Sequence, residues 1–284
     1  MAKILETEQL SSDVYKFVVE APLIAEERRA GQFIILQTDL EMGERIPLTI
    51  ADADEEKGTI TLIFQAIGKT TMDLARFKVG DDIPVLTGPL GSPTHIENFG
   101  HAVCVCGGIG TAPMYPIVQA LKKAGNKVTV IIGARQKNLI IMENEMKSAA
   151  DEVIICTDDG SYGRKCLVTQ PLKELCEGEK PDYAVAIGPP IMMKFCAETT
   201  RPYGVKTFAS LNSIMVDGTG MCGGCRVTVG GVVKFVCVDG PEFDAHQIDW
   251  ESMLKRMGTY KQHEALAKEK MLEKREKCKC IVES

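Results

Sequence analysis

The chain has 284 residues, of which 45% are hydrophobic and 25% charged, and it carries a formal net charge of -6. That length suits two domains or slightly more, and the balance of apolar and charged residues is that of a globular protein. The acidic balance, with no basic block of five or more residues, argues against a nucleic-acid surface.

Residues 1–98 predict short strands with turn signals, the pattern of a small antiparallel barrel. Strand candidates are 13–20, 32–38, 46–51 and 59–67, with one helical segment at 71–77. The segment Arg45-Ile-Pro-Leu-Thr49 is followed after one strand by Gly68-Lys-Thr-Thr71. The second places glycine and two hydroxyls at a helix start, either as a plain cap or as a seat for phosphate. Gly88-Pro-Leu-Gly91 predicts a turn.

From 99 to 204 the pattern changes. Apolar runs at 102–106, 127–132, 152–157 and 183–187 alternate with helical segments, which implies parallel strands, crossover helices and an α/β nucleotide-binding domain. The stretch 102–121 lacks charge but is broken by Gly107, Gly108, Gly110, Pro113 and Pro116. It therefore predicts strand, tight loop and helix instead of a membrane span. Gly107-Gly-Ile-Gly-Thr-Ala-Pro113 follows a strand and opens a helix near Ala112, where a pyrophosphate can approach backbone N–H groups. Gly133-Ala-Arg135 and Gly188-Pro-Pro190 end two further strands on the same edge.

Residues 205–243 hold the densest chemistry: Asp217-Gly-Thr-Gly-Met-Cys222-Gly-Gly-Cys225, then Cys237. Strands are expected after it at 226–229 and 232–236. The spacing is that of plant-type [2Fe–2S] ferredoxins, with Asp217 where the first cysteine stands. Glycines let the backbone curl round a small inorganic core, and a carboxylate can hold iron. A zinc site on the same four residues, a redox-active thiol pair and unligated structural cysteines remain the alternatives. The other cysteines do not form a disulfide framework. Cys104, Cys106, Cys156, Cys166, Cys176 and Cys196 read as core residues in a reducing compartment. Residues 244–284 are helical and densely charged. Leu254, Met257, Leu266 and Met271 form a narrow apolar stripe there, and Glu264–Lys268 and Glu273–Lys277 are spaced as helical ion pairs. Cys278 and Cys280 receive no role. The histidines at 95, 101, 246 and 263 have no ligand spacing. No N-terminal signal segment precedes the first acidic residues, so a soluble, cytoplasmic protein is expected.

Together these pieces resemble the ferredoxin-NADP reductase superfamily. Within it they resemble two families of electron-transfer subunits. One serves dihydroorotate dehydrogenase; the other is the small (alpha) subunit of NADH-dependent reduced ferredoxin:NADP oxidoreductases. The resemblance implies an FAD-binding barrel over 1–98, an NAD(P)-binding domain over 99–204, a [2Fe–2S] domain over 205–243 and a helical tail over 244–284. For FAD it implies Arg45, Pro47, Leu48, Thr49, Gln65, Gly68, Thr70 and Thr71. For NAD(H) it implies Gly107, Gly108, Gly110, Thr111, Ala112, Pro113, Gly133, Ala134, Arg135, Asp158, Gly188, Pro189 and Met192. The cluster ligands are then Asp217, Cys222, Cys225 and Cys237, and no residue acts as general acid or base. Arg45 stands one residue early for the family's flavin motif, and Leu48 replaces its aromatic. The aspartate at 217 and the tail resemble the ferredoxin:NADP enzyme's subunit. This implies a larger partner subunit carrying a bifurcating flavin and [4Fe–4S] clusters, with ferredoxin and NADP(H) served through that partner. The other readings are a dihydroorotate-linked subunit and a non-catalytic nucleotide-sensing module stapled by zinc.

Overall fold

The computed structural model describes residues 1–41 and 43–282, with side chains as far as Glu273. The first half of the fold is one antiparallel sheet. Its elements are β1 (Ala2–Gln9), β2 (Val14–Glu20), α1 (Pro22–Glu27), β3 (Phe33–Gln37), β4 (Ile46–Asp54), β5 (Thr59–Gln65), α2 (Lys69–Leu74), β6 (Asp82–Ile83) and β7 (Val85–Leu90). The strands lie in the order β6-β1-β2-β5-β4-β3-β7. The two edge strands, β6 and β7, are separated in sequence only by Pro84, so the sheet nearly closes on itself. Closure leaves few unpaired strand edges, and inward side chains fill the lumen. Phe17, Ile34, Leu36, Ile60, Leu62 and Phe64 are buried there, Phe17 meeting Phe64 edge-on at 5.1 Å. β1 carries a weak alternation signal, because only Ala2 and Ile4 of its residues are buried. The expected turn at Gly88–Gly91 falls partly inside β7. As an edge strand β7 tolerates Pro89, and a Cβ on Gly88 would stand 2.6 Å from Ile34 Cγ2.

The second sheet begins with β8 (His101–Gly107), α3 (Thr111–Lys123), β9 (Lys127–Ala134), α4 (Glu143–Ala149) and β10 (Glu152–Thr157). It continues with β11 (Arg164–Lys165), α5 (Thr169–Glu177), β12 (Tyr183–Ile187), α6 (Pro190–Thr200) and β13 (Lys206–Ser210). The chain then makes an excursion through β14 (Arg226–Val229), β15 (Val232–Phe235) and α7 (Val236–Asp239) before β16 (Glu242–Asp244). The order is β11-β10-β9-β8-β12-β13-β16, parallel except for β16 against β13. Every residue of β8 is buried, as a central parallel strand covered on both faces requires. The expected α/β architecture is therefore present, with the cysteine-rich loop as an excursion between two of its strands. Of the cysteines expected in the core, Cys166 is only half-buried.

The chain ends in α8 (Trp250–Met257) and α9 (Lys261–Val282). α8 packs on the core, with Trp250 and Met253 buried and Trp250 Nε1 donating to the Ala245 carbonyl at 3.0 Å, while α9 touches α2 of the barrel. Of the expected stripe, Met257 packs on the shared core, whereas Leu266 on α9 is 49% exposed. The Glu273–Lys277 pair, Cys278 and Cys280 lie outside the described side chains.

Barrel, sheet and excursion share one core, in which Phe33 and Ile35 meet Val105, Met215, Cys225, Cys237 and Trp250. Short hydrogen bonds reinforce it where the barrel hands over to the sheet. Ser92 N donates to Gly240 O at 2.7 Å and Ser92 Oγ to Val238 O at 3.0 Å, while Thr94 Oγ1 donates to Glu242 Oε1 at 2.6 Å. The Glu242 carboxyl borders a small cavity with His95, Tyr183 and Phe208, and burial raises it to about 7. A folded-state value above the unfolded one favours the protonated form in the fold. Stability contributed by this group is therefore complete below about pH 4 and lost as the pH rises to about 7. Glu242→Gln, which cannot ionise, should exceed the wild type by about 3 kcal/mol at pH 8 and match it at pH 4. Urea denaturation at the two pH values checks this; the same difference at both would show that the carboxyl does not titrate in that range.

Candidate redox-cofactor site

Strand order in the parallel sheet reverses at β8: the crossover after β8 leads to β9, and the one after β12 leads to β13 on the other side. Ligands of open α/β sheets bind outside the strand ends at such a switch point. Here the loop Gly107–Pro113 meets the loop Gly188–Met192. A Cβ on Gly110 would lie 2.3 Å from Ile187 O, and one on Gly107 would lie 2.6 Å from Met192 Sδ, so the two loops approach as only glycine permits. Gly108 differs: its φ is +56°, and a Cβ there would meet nothing within 4 Å. Open space thus lies above it. Thr111, fully buried, donates through its hydroxyl to Gly108 O at 2.9 Å, and its N–H donates to the Gly108 and Ile109 carbonyls, so a tight turn over Gly108–Gly110 leads directly into α3. Ala112 is buried and Pro113 half-buried in that first turn, and Pro189 is exposed at the facing loop. Along the same edge, Asp158 N donates to Ala134 O at 3.1 Å and Asp159 N to Arg135 O at 3.2 Å. This joins the ends of β9 and β10, with Gly133 in the sheet and Arg135 and Asp158 exposed.

The barrel faces this loop. Ala51 and Ile63 pack with Ala112 and Ile141, and Ile109 joins them. β4 is an interior strand, yet residues 46–49 are all half-exposed whereas Ile50 and Ala51 are buried. Ile46 and Leu48 pack on the barrel core, so Pro47 and Thr49 lie on the opposite, half-exposed face of β4, with Arg45 exposed just before them. The remaining barrel candidates are engaged within the chain. Gln65 Nε2 donates to Asp13 Oδ2 at 2.7 Å, and the buried Thr70 donates to Glu44 Oε2 at 2.8 Å. Thr71 Oγ1 and Gly68 exchange bonds of 3.1 Å that cap α2. The cavity of about 430 Å³ on the outer barrel wall, beside Lys16, Asp52 and Tyr115, is lined by none of the expected cofactor residues.

The third loop carries the cysteines. Gly218, Gly220 and Gly223 have φ of 75°, 83° and 65°, and a Cβ on Gly218 would stand 2.7 Å from Leu90 Cδ1 and 3.0 Å from Ile35 Cγ1. Glycine at 218 thus seats the loop directly on β3 and β7. The four expected ligands form two pairs. Cys225 and Cys237 Sγ are 3.2 Å apart and buried; Asp217 Oδ2 accepts from Cys222 N at 2.8 Å on the exposed side. Backbone N–H groups address the sulfurs: Gly224 N to Cys222 Sγ and Cys237 N to Cys225 Sγ, each 3.4 Å. The amides of Thr219 and Cys222 hold the Asp217 carboxyl below the usual carboxylate range. Burial and the contact with Cys225 raise the Cys237 thiol to about 12. Among the described residues no three His, Cys, Asp or Glu side chains converge on a single ion-sized point. Two adjacent pairs with amides aimed at sulfur fit a two-iron core better than one tetrahedral ion.

Two arginines complete this loop. Arg226 Nη1 donates to Gly223 O at 3.0 Å, and Arg256 Nη2, from α8, donates to Gly224 O at 3.1 Å. Motif spacing marks neither: Arg226 reads as part of a strand, and Arg256 lies 32 residues from its partner.

Comparison with known proteins bears on these three loops. Residues 104–198 match the oxidoreductase NAD-binding domain, and residues 212–249 match the iron-sulfur cluster binding domain of dihydroorotate dehydrogenase B. A Thermotoga maritima homolog of the dihydroorotate dehydrogenase B (NAD(+)) electron transfer subunit is 47% identical over 270 residues, 95% of each chain. The chain belongs to this family of electron-transfer subunits. A chain in a solved structure of NADH-dependent reduced ferredoxin-NADP oxidoreductase, studied for flavin-based electron bifurcation, has a TM-score of 0.90 at 45% identity, covering 96% of this chain and 98% of that one. A ferredoxin NADP+ reductase from Neisseria gonorrhoeae with bound FAD and NADP shares the fold, with a TM-score of 0.58 at 18% identity over 72% of this chain and 90% of that one. The resemblance read from the motifs is borne out, as are the barrel, parallel-sheet and iron–sulfur architecture and the oxidoreductase class. Among the described residues no helix is long and apolar enough to cross a membrane.

The open space at Gly108 can be tested directly. Gly108→Ala places a methyl group there at a conformational cost of about 1–2 kcal/mol, small enough to keep the fold. The variant should melt only a few degrees lower and bind NADH at least tenfold more weakly in a fluorescence titration. Wild-type affinity would remove Gly108 from the nucleotide site.

Proposed function

We propose that this chain is the flavin and iron–sulfur subunit of a heterodimeric, electron-bifurcating NADH-dependent ferredoxin:NADP+ oxidoreductase. One observation carries the reading: both redox loops sit on the same barrel. The nucleotide loop packs on β4 and β5 through Ile109 and Ala112, and the cysteine loop packs on β3 and β7 through Gly218. When bound, FAD supplies hydride exchange with NAD(H) and single-electron release, and a [2Fe–2S] cluster supplies one-electron transfer.

The chain's own work is placement. Gly107, Gly108, Gly110, Thr111, Ala112 and Pro113 would hold the NAD(H) pyrophosphate at the start of α3, with Gly188, Pro189 and Met192 closing over the nicotinamide side. Gly133, Ala134, Arg135 and Asp158 would line the adenosine side. Pro47 and Thr49 would support the flavin ring, and Arg45 with the α2 start (Gly68, Thr70, Thr71) would take its phosphates. Thr70 must then exchange Glu44 for phosphate, and Gln65 lies at the edge of the same surface. Asp217, Cys222, Cys225 and Cys237 would ligate the irons as the two pairs described above. Proton transfer by a side chain is not required, and none is assigned.

The choice of complex rests on Asp217 and on the full-length likeness to the bifurcating enzyme's chain. The larger subunit would hold a second flavin, [4Fe–4S] clusters and the sites for ferredoxin and NADP(H). α9, with Leu266 and Leu272 exposed, would lie against it. The name of the Thermotoga maritima relative favours a second reading, service to a dihydroorotate dehydrogenase. Co-purification with the native partner separates the two: NADPH should reduce the complex and dihydroorotate should not.

The ligand assignment has its own test. Anaerobically purified wild type should hold FAD, two irons and two acid-labile sulfides per chain. Asp217→Cys should keep the cluster with an altered visible spectrum, and Asp217→Ala should lose about half or more of the iron. Unchanged spectra and iron content in both variants would take Asp217 out of the site; zinc in place of iron would overturn the whole reading.

A further inference from the structure

The cysteine loop is negative by construction. Three thiolates, a carboxylate and two sulfides outweigh two ferric ions, and each electron taken up deepens that charge. Reduction then depends on which positive groups are nearby. In this structure both carbonyls between Cys222 and Cys225 are occupied by guanidinium groups, Arg226 on Gly223 O at 3.0 Å and Arg256 on Gly224 O at 3.1 Å. Among the described residues neither arginine forms an ion pair with a carboxylate, so neither guanidinium is neutralised by direct contact with an acid. Arg226 is exposed. Arg256 is partly shielded from water, because α8 is anchored beside the loop by Trp250 and Met253. The charge of Arg256 is therefore the less screened of the two.

We propose that Arg256, with a smaller contribution from Arg226, sets the potential of the iron–sulfur site by holding positive charge against the Cys222–Cys225 loop. Arg256 is a positioning residue: it reaches the cluster through the Gly224 peptide and is not a ligand. Its charge favours the reduced form, in which the site gains one electron while no bond forms or breaks. The proposal rests on the cluster reading above and adds what tunes it.

The test uses the full chain, anaerobically purified with its cluster, in a dye-mediated redox titration followed by electron paramagnetic resonance. Arg256→Gln should lower the reduction equilibrium about tenfold, equivalent to about 59 mV for one electron. Arg256→Lys, which retains charge without the planar fork, should restore most of the loss. Arg226→Gln should give a smaller shift of the same sign, and Arg226→Glu a larger one than Arg226→Gln. The flavin potential, read from absorbance in the same titration, should stay within error in all four. Should Arg256→Gln fail to fold, the two Arg226 variants and Arg256→Lys decide the matter by sign and order alone. Equal shifts in Arg256→Lys and Arg256→Gln would mean a packing role, and unmoved potentials would mean no role; either overturns the proposal. A wild-type protein without iron and sulfide overturns the cluster reading itself, which sets that failure apart from this one.

Discussion

The arrangement depends on how the segment that follows the barrel, Ser92–Thr94, grips the strand that returns from the cysteine loop. Two donors from Ser92 and one from Thr94 reach Gly240, Val238 and Glu242 at 2.7, 3.0 and 2.6 Å. Gln32 extends the grip into the barrel by donating to Gly91 O at 2.9 Å. A loop between β13 and β16 would otherwise be free to swing about its ends. Fixing the return strand to the barrel turns the loop into part of a rigid body, and electron exchange between two bound groups requires such constancy of separation.

Rigid approach also explains where glycine is obligatory. The nucleotide loop and the facing loop interlock at Gly107, Gly110 and Gly188, where a Cβ would strike a neighbouring loop, and the cysteine loop meets the barrel at Gly218. The same residue type does opposite work at Gly108, where nothing lies within 4 Å. Close contact at three positions creates the floor, and absence of contact at the fourth leaves room above it. A count of glycines in the motif cannot separate these roles, because they differ only in what the second loop brings to each one.

Much of this was legible from local pattern. The apolar runs of β8, β9, β10 and β12 are continuous because both faces are buried, and the D-x4-C-x2-C-x11-C spacing folds into two contacts, Asp217 with Cys222 N and Cys225 with Cys237. What escaped was non-local. β1 shows only two buried apolar residues, and β7 carries Gly88 and Pro89, which read as a turn until the strand is known to be an edge. Thr70 reads as a cap or a phosphate seat, but Glu44, far away along the chain, already holds its hydroxyl. Arg256 belongs to a helix whose amphipathic face is plain, yet its hydrogen bond to Gly224 depends on how that helix docks. The tail stripe divides for the complementary reason: Met257 packs on the shared core, whereas Leu266 keeps the helical spacing and stays exposed.

The interior between the redox loops is almost free of charge. Burial raises the Cys106 and Cys196 thiols to about 12, raises Cys104 well above the usual thiol range, and brings Glu242 to about 7. Each of these groups therefore stays neutral near physiological pH or, for Glu242, titrates around it. A neutral, apolar surround lowers the local dielectric, so the few charges at its surface act over a longer range than they would in water. In an acidic protein of net charge -6, the guanidinium groups of Arg226 and Arg256 bring cations to the cysteine loop. Cations at that loop act more strongly than they would in open water, because the neutral core behind them screens them less.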